Sequence, residues 1–357
     1  MQCFIRDRLQ GPWESDPLCV ARGALVSRSP FTPSVQLACR LRNFSSESQE
    51  SVEDATKYEV AQDVDKMGSY FFGTGAGEEF KPWRFSNAAA VEPPCSAKSN
   101  NGQWILLADR EGNVNLWHKL MEIWQATISI EAIRLARDPA TGKPYLTEEA
   151  SEVRVDFEDN HNEPLDDWWT LVTGNKPVRI ADLPESDCYG NAIVPLAGSS
   201  SPFWTFLLEE RLHEVCHVRT LIDTFVRRIL AHVQVRPRLE TEIYDNPVVT
   251  IIDRKQTRKF HGLSHVVEVL QQRFPQDDVP VGHHGAGMTH VLFLPPDAAV
   301  VEIFPPVFGI LGFRHVARNL GFAHFVGHCM FFEEWNAAVH NISVPAGWIR
   351  PTTAAGW

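Results

Sequence analysis

The sequence predicts an α/β protein made of two halves, each built on a parallel sheet. Between residues 104 and 196, short apolar runs alternate with segments of helical apolar spacing, which is the pattern of a parallel-sheet domain. Ala299 to Phe304, AVVEIF, is a β-branched run typical of a strand buried on both faces. At 357 residues the chain is long enough for two domains of ordinary size.

The composition is that of a globular protein, with 44% hydrophobic and 22% charged residues. A net charge of −12 argues against nucleic acid or an anionic membrane as the main partner. The seven cysteines form no CxxC pair, which disfavours a metal cluster. No apolar run reaches the roughly 20 residues of a membrane span, and the N-terminus lacks an apolar signal-peptide stretch. Two sequons, at Asn43 and Asn341, point instead to the secretory pathway.

The first half is expected to follow an extension, residues 1–100, that is largely irregular and contains a polar, acidic stretch. A domain at 101–235 then carries strands predicted at 104–108, 153–157, 178–180 and 191–196. Its helices are predicted at 116–137, 168–172 and 203–233. Asp138 and Pro139 end the first of these helices, because proline cannot continue it.

The second half is predicted to begin after a linker at 235–247 that is bracketed by prolines. This domain spans 236–340 and is followed by a tail at 341–357. Its predicted elements are a strand at 248–252, a helix at 262–274, a short helix at 288–294 and a strand at 299–304. No strand is expected between 275 and 282, because Asp277, Asp278 and Pro280 are poor strand residues.

A tight turn, Gly285-Ala286-Gly287, opens the short helix of the second half. Such a turn presents free backbone N–H groups and the positive end of the helix dipole, which suits an anion. Glycine would be needed there because a Cβ would hold a phosphate away from the backbone. An ordinary corner between a turn, a helix and a strand explains the same residues equally well.

Several longer motifs resemble family-61 glycosyltransferases, the group of the EGF-domain-specific O-linked N-acetylglucosamine transferase. They are VVTIIDRKQTRKF at 248–260, HHGAGMTHVLFLPPDAAVVEIFP at 283–305 and NLWHKLMEIW at 115–124. DPATGKP and NAIVPLAGSSSPFW are similar to fungal members in particular. The resemblance runs from about 104 to 335 and implies a GT-B-like architecture: two Rossmann-like domains facing across a cleft, with a UDP-sugar bound mainly by the second.

Under this resemblance the donor site lies in the second domain. Arg254 and Arg258 follow the strand at 248–252, where ligands bind in open α/β sheets, and a guanidinium matches phosphate oxygens. The further donor-binding candidates are Asn115, His284, Gly285, Ala286, Gly287, Thr289 and Glu302. The alternatives stay open: the arginines as solvated loop residues, Thr289 as a helix cap, and Glu302 as a buried acid paired with an arginine rather than a ribose ligand.

The expected base lies in the first domain. His118 and Glu122 are four residues apart on one helix face, and either could take the proton of an acceptor hydroxyl. Histidine starts closer to neutral, so we expect His118 to be the base with Glu122 orienting it, and the reversed roles are nearly as well supported. A polar helix end without catalytic function is the structural alternative. No metal is required by this mechanism.

The chain departs from the family pattern in one respect. Family members place another strand, helix and strand before the HGAG turn, whereas only 275–282 is available here. The second sheet is therefore expected to lack part of its strands, and a catalytically inactive relative is the alternative function. The resemblance also implies an endoplasmic reticulum or Golgi lumen, a signal anchor outside this sequence, and a protein or polysaccharide acceptor.

A different enzyme class is suggested by His213-Glu214-Val215-Cys216-His217, which matches the HExxH zinc-protease signature. The extended form of that motif would need glycine at position 220, which is Thr220. The HHGAG turn is also similar to an α/β-hydrolase oxyanion loop, but the required G-x-S-x-G elbow is missing. The zinc protease remains an alternative, and the hydrolase is excluded.

Overall fold

A computed structural model describes residues 2–7, 15–27, 36–37, 103–111, 114–138, 141–146, 152–159, 161–184, 189–201, 203, 219–236, 249–253, 263–273, 279–295, 298–305 and 309–328. The chain divides into two compact units, Met1–Ser201 and Pro202–Trp357. Each unit contains a parallel sheet with helices, so the predicted α/β class is confirmed at that level.

The first unit is built on a mixed sheet of seven strands. Their order is β1-β2-β7-β4-β5-β6, with β3 beside β2. The strands are β1 Gln2–Asp7, β2 Ser15–Ser27, β3 Gln36–Leu37, β4 Trp104–Ala108, β5 Val153–Phe157, β6 Val178–Arg179 and β7 Tyr189–Val194. β7, β4, β5 and β6 run parallel, and the first three strands add to this core in antiparallel pairs. The carboxyl ends of the four parallel strands therefore meet at one edge.

The helices of the first unit connect these parallel strands. They are α1 Leu116–Leu135 and α2 Thr170–Thr173, with 3₁₀ segments at Asp166–Trp169, Ile180–Asp182 and Gly198–Ser200. β4 is completely buried, and α1 contributes its predicted apolar stripe to the same core, including Leu120, Ile123 and Ile133. α1 ends two residues before the predicted 137. Polar side chains in the first three turns of α1 are buried as well, so charged groups lie inside the unit.

The N-terminal region contains structure that the sequence analysis did not expect. β1, β2 and β3 lie within residues 1–100, which the sequence suggested to be an irregular extension. Leu18, Cys19, Val20 and Ala21 of β2 are buried, and this stretch of β2 pairs with β7. The interruption by Pro17 and Gly23 concealed the strand in the sequence, whereas pairing with an existing sheet edge stabilises it.

The second unit contains a four-stranded parallel sheet in the order β11-β10-β9-β8. The strands are β8 Val249–Ile252, β9 Val279–His283, β10 Ala299–Phe304 and β11 Ala323–His328. The intervening helices are α4 Leu263–Arg273, a 3₁₀ helix at Ala286–Phe293 and α5 Gly312–Leu320, and α3 Thr220–His232 precedes the sheet. Because neighbouring strands follow one another along the chain, right-handed crossovers place the connecting helices on one face of the sheet.

β9 corrects the prediction that no strand lies between 275 and 282. It pairs with both β8 and β10, so the strands at 249–252 and 299–304 are not left without a neighbour. The crossover into β9 includes α4 itself, which gives it ample length even though the junction after the helix is short. Pro280 lies opposite Thr250 of β8, but the ladder to β10 begins only at Val281. The missing N–H of the proline therefore removes no hydrogen bond from the ladder to β10.

The boundary between the units lies earlier than the predicted linker at 235–247. α3, which was expected to close the first domain, belongs to the second unit. Arg219, which precedes α3, donates from Nη1 to the carbonyl oxygen of Leu320 at 2.8 Å. The predicted helix at 203–233 is described only from Thr220 onward, since most of its first half lies outside the described residues.

Candidate functional site

A group of charged side chains lies at the carboxyl edge of the parallel strands in the first unit. We call it the α1 cluster and define it as Glu111, His118, Lys119, Glu122 and Glu163. Glu111 lies three residues beyond β4, the next three are on the first two turns of α1, and Glu163 lies in the loop after β5. Ligands and catalytic groups of open α/β sheets are found at this edge.

His118 is held by a buried carboxylate. Its Nδ1 contacts Oε2 of Glu111, whose side chain has no exposed surface, while the side chain of His118 retains 11%. A carboxylate offers only acceptors, so Nδ1 carries the hydrogen and Nε2 is left as the basic nitrogen. The partner seen on Nδ1 is thus Glu111, whereas the sequence spacing had suggested Glu122 as the orienting acid.

Glu122 lies beside this pair in a nearly closed environment. Its Oε1 accepts the backbone N–H of Glu111 at 2.9 Å, and its Oε2 accepts from Nζ of Lys119 at 3.2 Å. Burial raises the pKa of Glu122 to about 7, since it outweighs the lowering by Lys119 and by the Glu111 N–H. A carboxyl group with such a pKa exchanges protons near neutral pH, as general acid–base catalysis requires.

The Gly198–Ser200 segment closes the cluster on one side. A Cβ built on Gly198 would lie 2.9 Å from Cγ of Glu122, so the backbone packs directly on the glutamate. Gln125, one turn further along α1, donates to Oγ of Ser200 at 2.6 Å. The close approach of Gly198 contributes to the burial of Glu122, and that burial raises its pKa.

Arg110 fixes the loop after β5 against the end of β4. Its guanidinium pairs with Asp159, through Nε at 2.7 Å, and with Asp166, and it stacks 3.9 Å above the ring of Phe157. In the same loop, Oε2 of Glu163 forms an ion pair with Nζ of Lys119 at 2.6 Å. The α1 cluster therefore rests on a rigid frame in which most of the charges are paired.

Asn115 has a structural role that the resemblance did not assign to it. Its Oδ1 accepts the N–H of Trp117 at 3.0 Å and so caps the N-terminus of α1. The sequence analysis expected Asn115 among the donor-binding residues. The capping contact explains an asparagine at this position without a ligand.

In the second unit, the predicted Gly turn lies between β9 and the 3₁₀ helix. Gly285 has φ 139° and ψ −173°, a region that essentially only glycine adopts. A Cβ on Gly287 would lie 2.7 Å from Cγ2 of Ile252, so this glycine is required where the turn packs on β8. The turn therefore needs its glycines for folding, while the first N–H groups of the helix have no partner inside it.

Glu302 is buried in the middle of β10 between two histidines. Its Oε1 contacts Nδ1 of His284 at 2.5 Å, and its Oε2 contacts Nε2 of His324 at 2.9 Å. Glu302 has no exposed surface, and both of its oxygens contact imidazole nitrogens, so its expected contact with a ribose hydroxyl stays a prediction. The alternative of a buried acid paired with an arginine differs from the structure in that the partners are histidines. We call these three residues the β10 triad.

Thr289 is buried and makes a local hydrogen bond. It has no exposed surface, and its Oγ1 donates to the carbonyl oxygen of Ala286 at 2.6 Å. The expected phosphate contact of this hydroxyl stays a prediction, and the observed contact is the alternative that the sequence left open, a role in the start of the helix. The hydrogen bond instead stabilises the 3₁₀ turn that Ala286 begins.

Other predicted site residues lie outside the described part of the chain. Arg254 and Arg258 belong to this group, as do His213, Glu214 and His217 of the HExxH motif. Within the described residues, no group of three or more His, Cys, Asp or Glu side chains is arranged to hold a metal ion. Nor does any described helix combine the length and apolar character needed to cross a membrane.

Four residues that the structure brings into these sites were not predicted from the sequence: Glu111, Lys119, Glu163 and His324. Glu111 carried a usable signal, since it follows a buried strand and precedes the helix of His118. Lys119 and His324 carried none, because both read as ordinary exposed residues of a helix and a strand. No known protein family matches the chain, and no curated protein matches it.

Proposed function

We propose that the protein is an inverting glycosyltransferase that moves a sugar, N-acetylglucosamine or a pentose, from a UDP-sugar to a hydroxyl of a protein or polysaccharide. In this proposal the units are the two Rossmann-like halves of a GT-B-like enzyme. The first unit supplies the base and the second unit binds the nucleotide. The motif resemblance suggests the reaction, and the α1 cluster supplies the chemistry.

The observation that carries the proposal is the contact between Glu111 and His118 at the carboxyl edge of a parallel sheet. The buried carboxylate fixes the ring and directs its hydrogen to Nδ1. Nε2 is then the nitrogen that can accept a proton from an alcohol. A histidine on a polar helix end without catalytic function would not need a completely buried carboxylate behind it.

The proposed step is a single displacement. The acceptor oxygen forms a bond to the anomeric carbon as the bond from that carbon to the phosphate oxygen breaks. The acceptor proton moves to Nε2 of His118, and the electron pair leaves with UDP. Glu122, whose pKa is about 7, can later carry the proton away from the site.

The departing diphosphate requires positive charge and N–H donors in the second unit. The proposal assigns this task to the amides of Gly285–Gly287, to His284 and to Arg254 and Arg258. Gly287 packs on Ile252, and Arg254 follows Ile252 by two positions in the chain. This sequence proximity supports the assignment of Arg254 to the same phosphate site.

An oxidising compartment is part of the proposal, namely the lumen of the endoplasmic reticulum or Golgi. Cys19 is disulfide-bonded, which is the state cysteines hold in such compartments. The alternative function, an inactive relative, rested on an incomplete second sheet. β9 weakens that argument because it fills the position between β8 and β10.

The test uses the purified full chain. Calorimetric titration with UDP measures binding, and UDP release from UDP-N-acetylglucosamine and UDP-xylose measures bond cleavage. We expect saturable UDP binding, and we expect His118→Ala to lower UDP release about 100-fold or more while leaving UDP affinity unchanged. His161→Ala, which removes an exposed ring of the first unit, is the matched control and should change neither quantity.

Two outcomes would contradict the proposal. Absence of saturable UDP binding would favour the inactive relative, since a transferase must hold its leaving group. If His118→Ala releases UDP at the wild-type rate, His118 is not the catalytic base. If stoichiometric zinc copurifies and is lost in His213→Ala, the HExxH reading replaces glycosyl transfer.

A further inference from the structure

A disulfide in the first unit involves Cys19 of β2, and the strand register indicates which cysteine is its partner. Cys19 is disulfide-bonded, and the residue retains only 1% of its surface. It lies in the stretch of β2 that has β1 on one side and β7 on the other. The second cysteine of this bond must therefore come from a segment that packs against β2.

The pairing of β1 with β2 places a cysteine at this position. The two strands form an antiparallel ladder in which Cys3 lies directly opposite Cys19. Directly opposite residues of such a ladder share one face of the sheet, and their Cα atoms are about 4.5 or about 5.5 Å apart. A disulfide needs Cα atoms roughly 4.4–6.8 Å apart. Both kinds of antiparallel pair lie in this range, so the backbone register meets the requirement.

The other strands beside β2 do not bring a cysteine to Cys19. β7 places Val194 opposite it, whereas Cys188 precedes β7, whose first residue pairs with Val26. Cys39 follows β3, which also pairs with Val26. Val26 lies seven positions after Cys19, a distance on the order of 20 Å along the strand. One or two further residues and a Cα span of at most about 7 Å do not cover this distance.

We propose that Cys3 and Cys19 form a cross-strand disulfide that ties β1 to β2. In forming it, the two thiols make one S–S bond and lose two protons and two electrons. These pass to a disulfide oxidant, whose own S–S bond breaks to give two thiols. The assignment goes beyond the proposed function, because it concerns a covalent link in the N-terminal region and does not depend on a nucleotide.

The proposed bond stabilises a strand at the end of the sheet order. β1 has its ladder to β2 alone among the described strands, and a cross-link over the 15 residues between Cys3 and Cys19 lowers the entropy of the unfolded chain. Val194, opposite Cys19, ends β7, and the Gly198–Ser200 segment that packs on Glu122 begins four residues later. The link therefore lies on the strands that lead into the α1 cluster.

The first experiment maps the bond in the full chain, folded in a buffer of reduced and oxidised glutathione. Free thiols are blocked with N-ethylmaleimide in denaturant, and the tryptic digest is analysed by mass spectrometry with and without dithiothreitol. Cleavage after Arg6, Arg8 and Arg22 gives the peptides 1–6 and 9–22, which contain one cysteine each. We expect these two peptides to be linked in the unreduced digest and to separate on reduction.

Two mapping results would overturn the assignment. One is Cys19 joined to the peptide of another cysteine, such as Cys39 or Cys95. The other is an N-ethylmaleimide label on Cys3 or Cys19. Neither result depends on UDP, so this proposal and the proposed function fail separately: a chain with the expected link that binds no UDP keeps the disulfide and loses glycosyl transfer.

The second experiment measures the midpoint of thermal unfolding of Cys3→Ala, Cys19→Ala and the double variant. Cys3→Ala is expected to lower the midpoint by about 6–12 °C, the effect of losing a cross-link over a loop of this length in a unit of about 200 residues. Cys19→Ala should lose at least as much, because its buried side chain is also shortened. Since both substitutions break the same bond, the double variant should unfold with Cys19→Ala. Losses that add in the double variant would show that the two cysteines are not partners.

Discussion

Two buried glutamates, one in each unit, have pKa values shifted in opposite directions. Glu122 of α1 and Glu302 of β10 are both enclosed and both accept hydrogen bonds. Burial raises the pKa of Glu122 to about 7, whereas the pKa of Glu302 lies below its usual range although burial raises it too. Depth of burial therefore does not explain the difference.

The difference lies in the partners. Glu302 faces two histidine N–H donors, and both of its oxygens are bonded. Glu122 shares the single cation Lys119 with Glu163, and the nearby carboxylate of Glu111 raises its pKa further. The partners of Glu302 thus outweigh its burial and lower its pKa, whereas the partners of Glu122 do not offset its burial.

The largest expected effect on stability is that of Glu122→Gln. The wild-type chain loses stability as pH rises from 4.5 to about 7, because folding opposes ionisation of Glu122 over that interval. Glutamine cannot ionise, so at pH 8 we expect a gain in the free energy of unfolding on the order of 3 kcal/mol and no gain at pH 4.5. Urea titration of unfolding at both pH values measures this.

The matched control for Glu122→Gln is Glu131→Gln on the same helix. Glu131 has a side chain 45% exposed and pairs with Arg134, so its substitution should change stability by less than about 0.5 kcal/mol at either pH. A gain from Glu122→Gln that is the same at both pH values would show that the substitution improves packing rather than removing an opposed charge.

Glu302→Gln is expected to act with the opposite sign. The NH₂ group of the glutamine would lie against one of the two imidazole N–H groups, so that two donors face each other. We expect this to lower the free energy of unfolding by about 2 kcal/mol at pH 7. Folding lowers the pKa of Glu302. The stability difference between the wild type and Glu302→Gln is therefore fully present above pH 4.5, and it is lost as the pH falls through the pKa of Glu302 in the folded chain. Urea unfolding of both proteins across this pH range measures the difference. If the difference in free energy of unfolding stays the same in acid, the electrostatic explanation is wrong.

A smaller effect is expected at the turn beside the β10 triad. Gly285→Ala forces a side chain into a backbone region with φ 139°, which we expect to cost about 1–2 kcal/mol. Gly309→Ala is the matched control, because a Cβ there meets nothing within 4 Å. Thermal unfolding of the two variants should differ, and equal midpoints would mean that the turn adjusts without strain.

The smallest expected effect separates the two roles of Asn115. Asn115→Ala should lower stability by about 1 kcal/mol through loss of the helix cap, and Asn115→Asp should restore it. Because the capping contact accounts for this side chain, UDP affinity should be the same in both variants. A loss of UDP binding in Asn115→Ala without a loss of stability would return Asn115 to the donor site.

The predicted fold was accurate where the sequence pattern was local and strong. The strand at 104–108 and the strand at 299–304 have the predicted bounds, and α1 begins at the predicted residue. β9 and β2 were missed because prolines, glycines and aspartates weaken their patterns. Pairing with a neighbour on each side supplies the hydrogen bonds that such a strand needs, and that neighbour is not visible in the segment itself.

The sequence identified individual candidate residues, but it did not predict which side chains contact one another. His118, Glu122, His284 and Glu302, which were selected from the sequence, are buried beside other polar side chains. Their partners Glu111 and His324 were not anticipated. A helical or strand period identifies which residues share a face, but it says nothing about which side chain arrives from another element.

The sequence alone determined the α/β class and most element positions, because periodicity acts within a few residues. Only the tertiary structure decided which carboxylate holds which histidine. That choice depends on burial and on donors brought together from β4 and α1 in one unit and from β10 and β11 in the other. The same amino acid, glutamate, consequently has a raised pKa at position 122 and a lowered pKa at position 302.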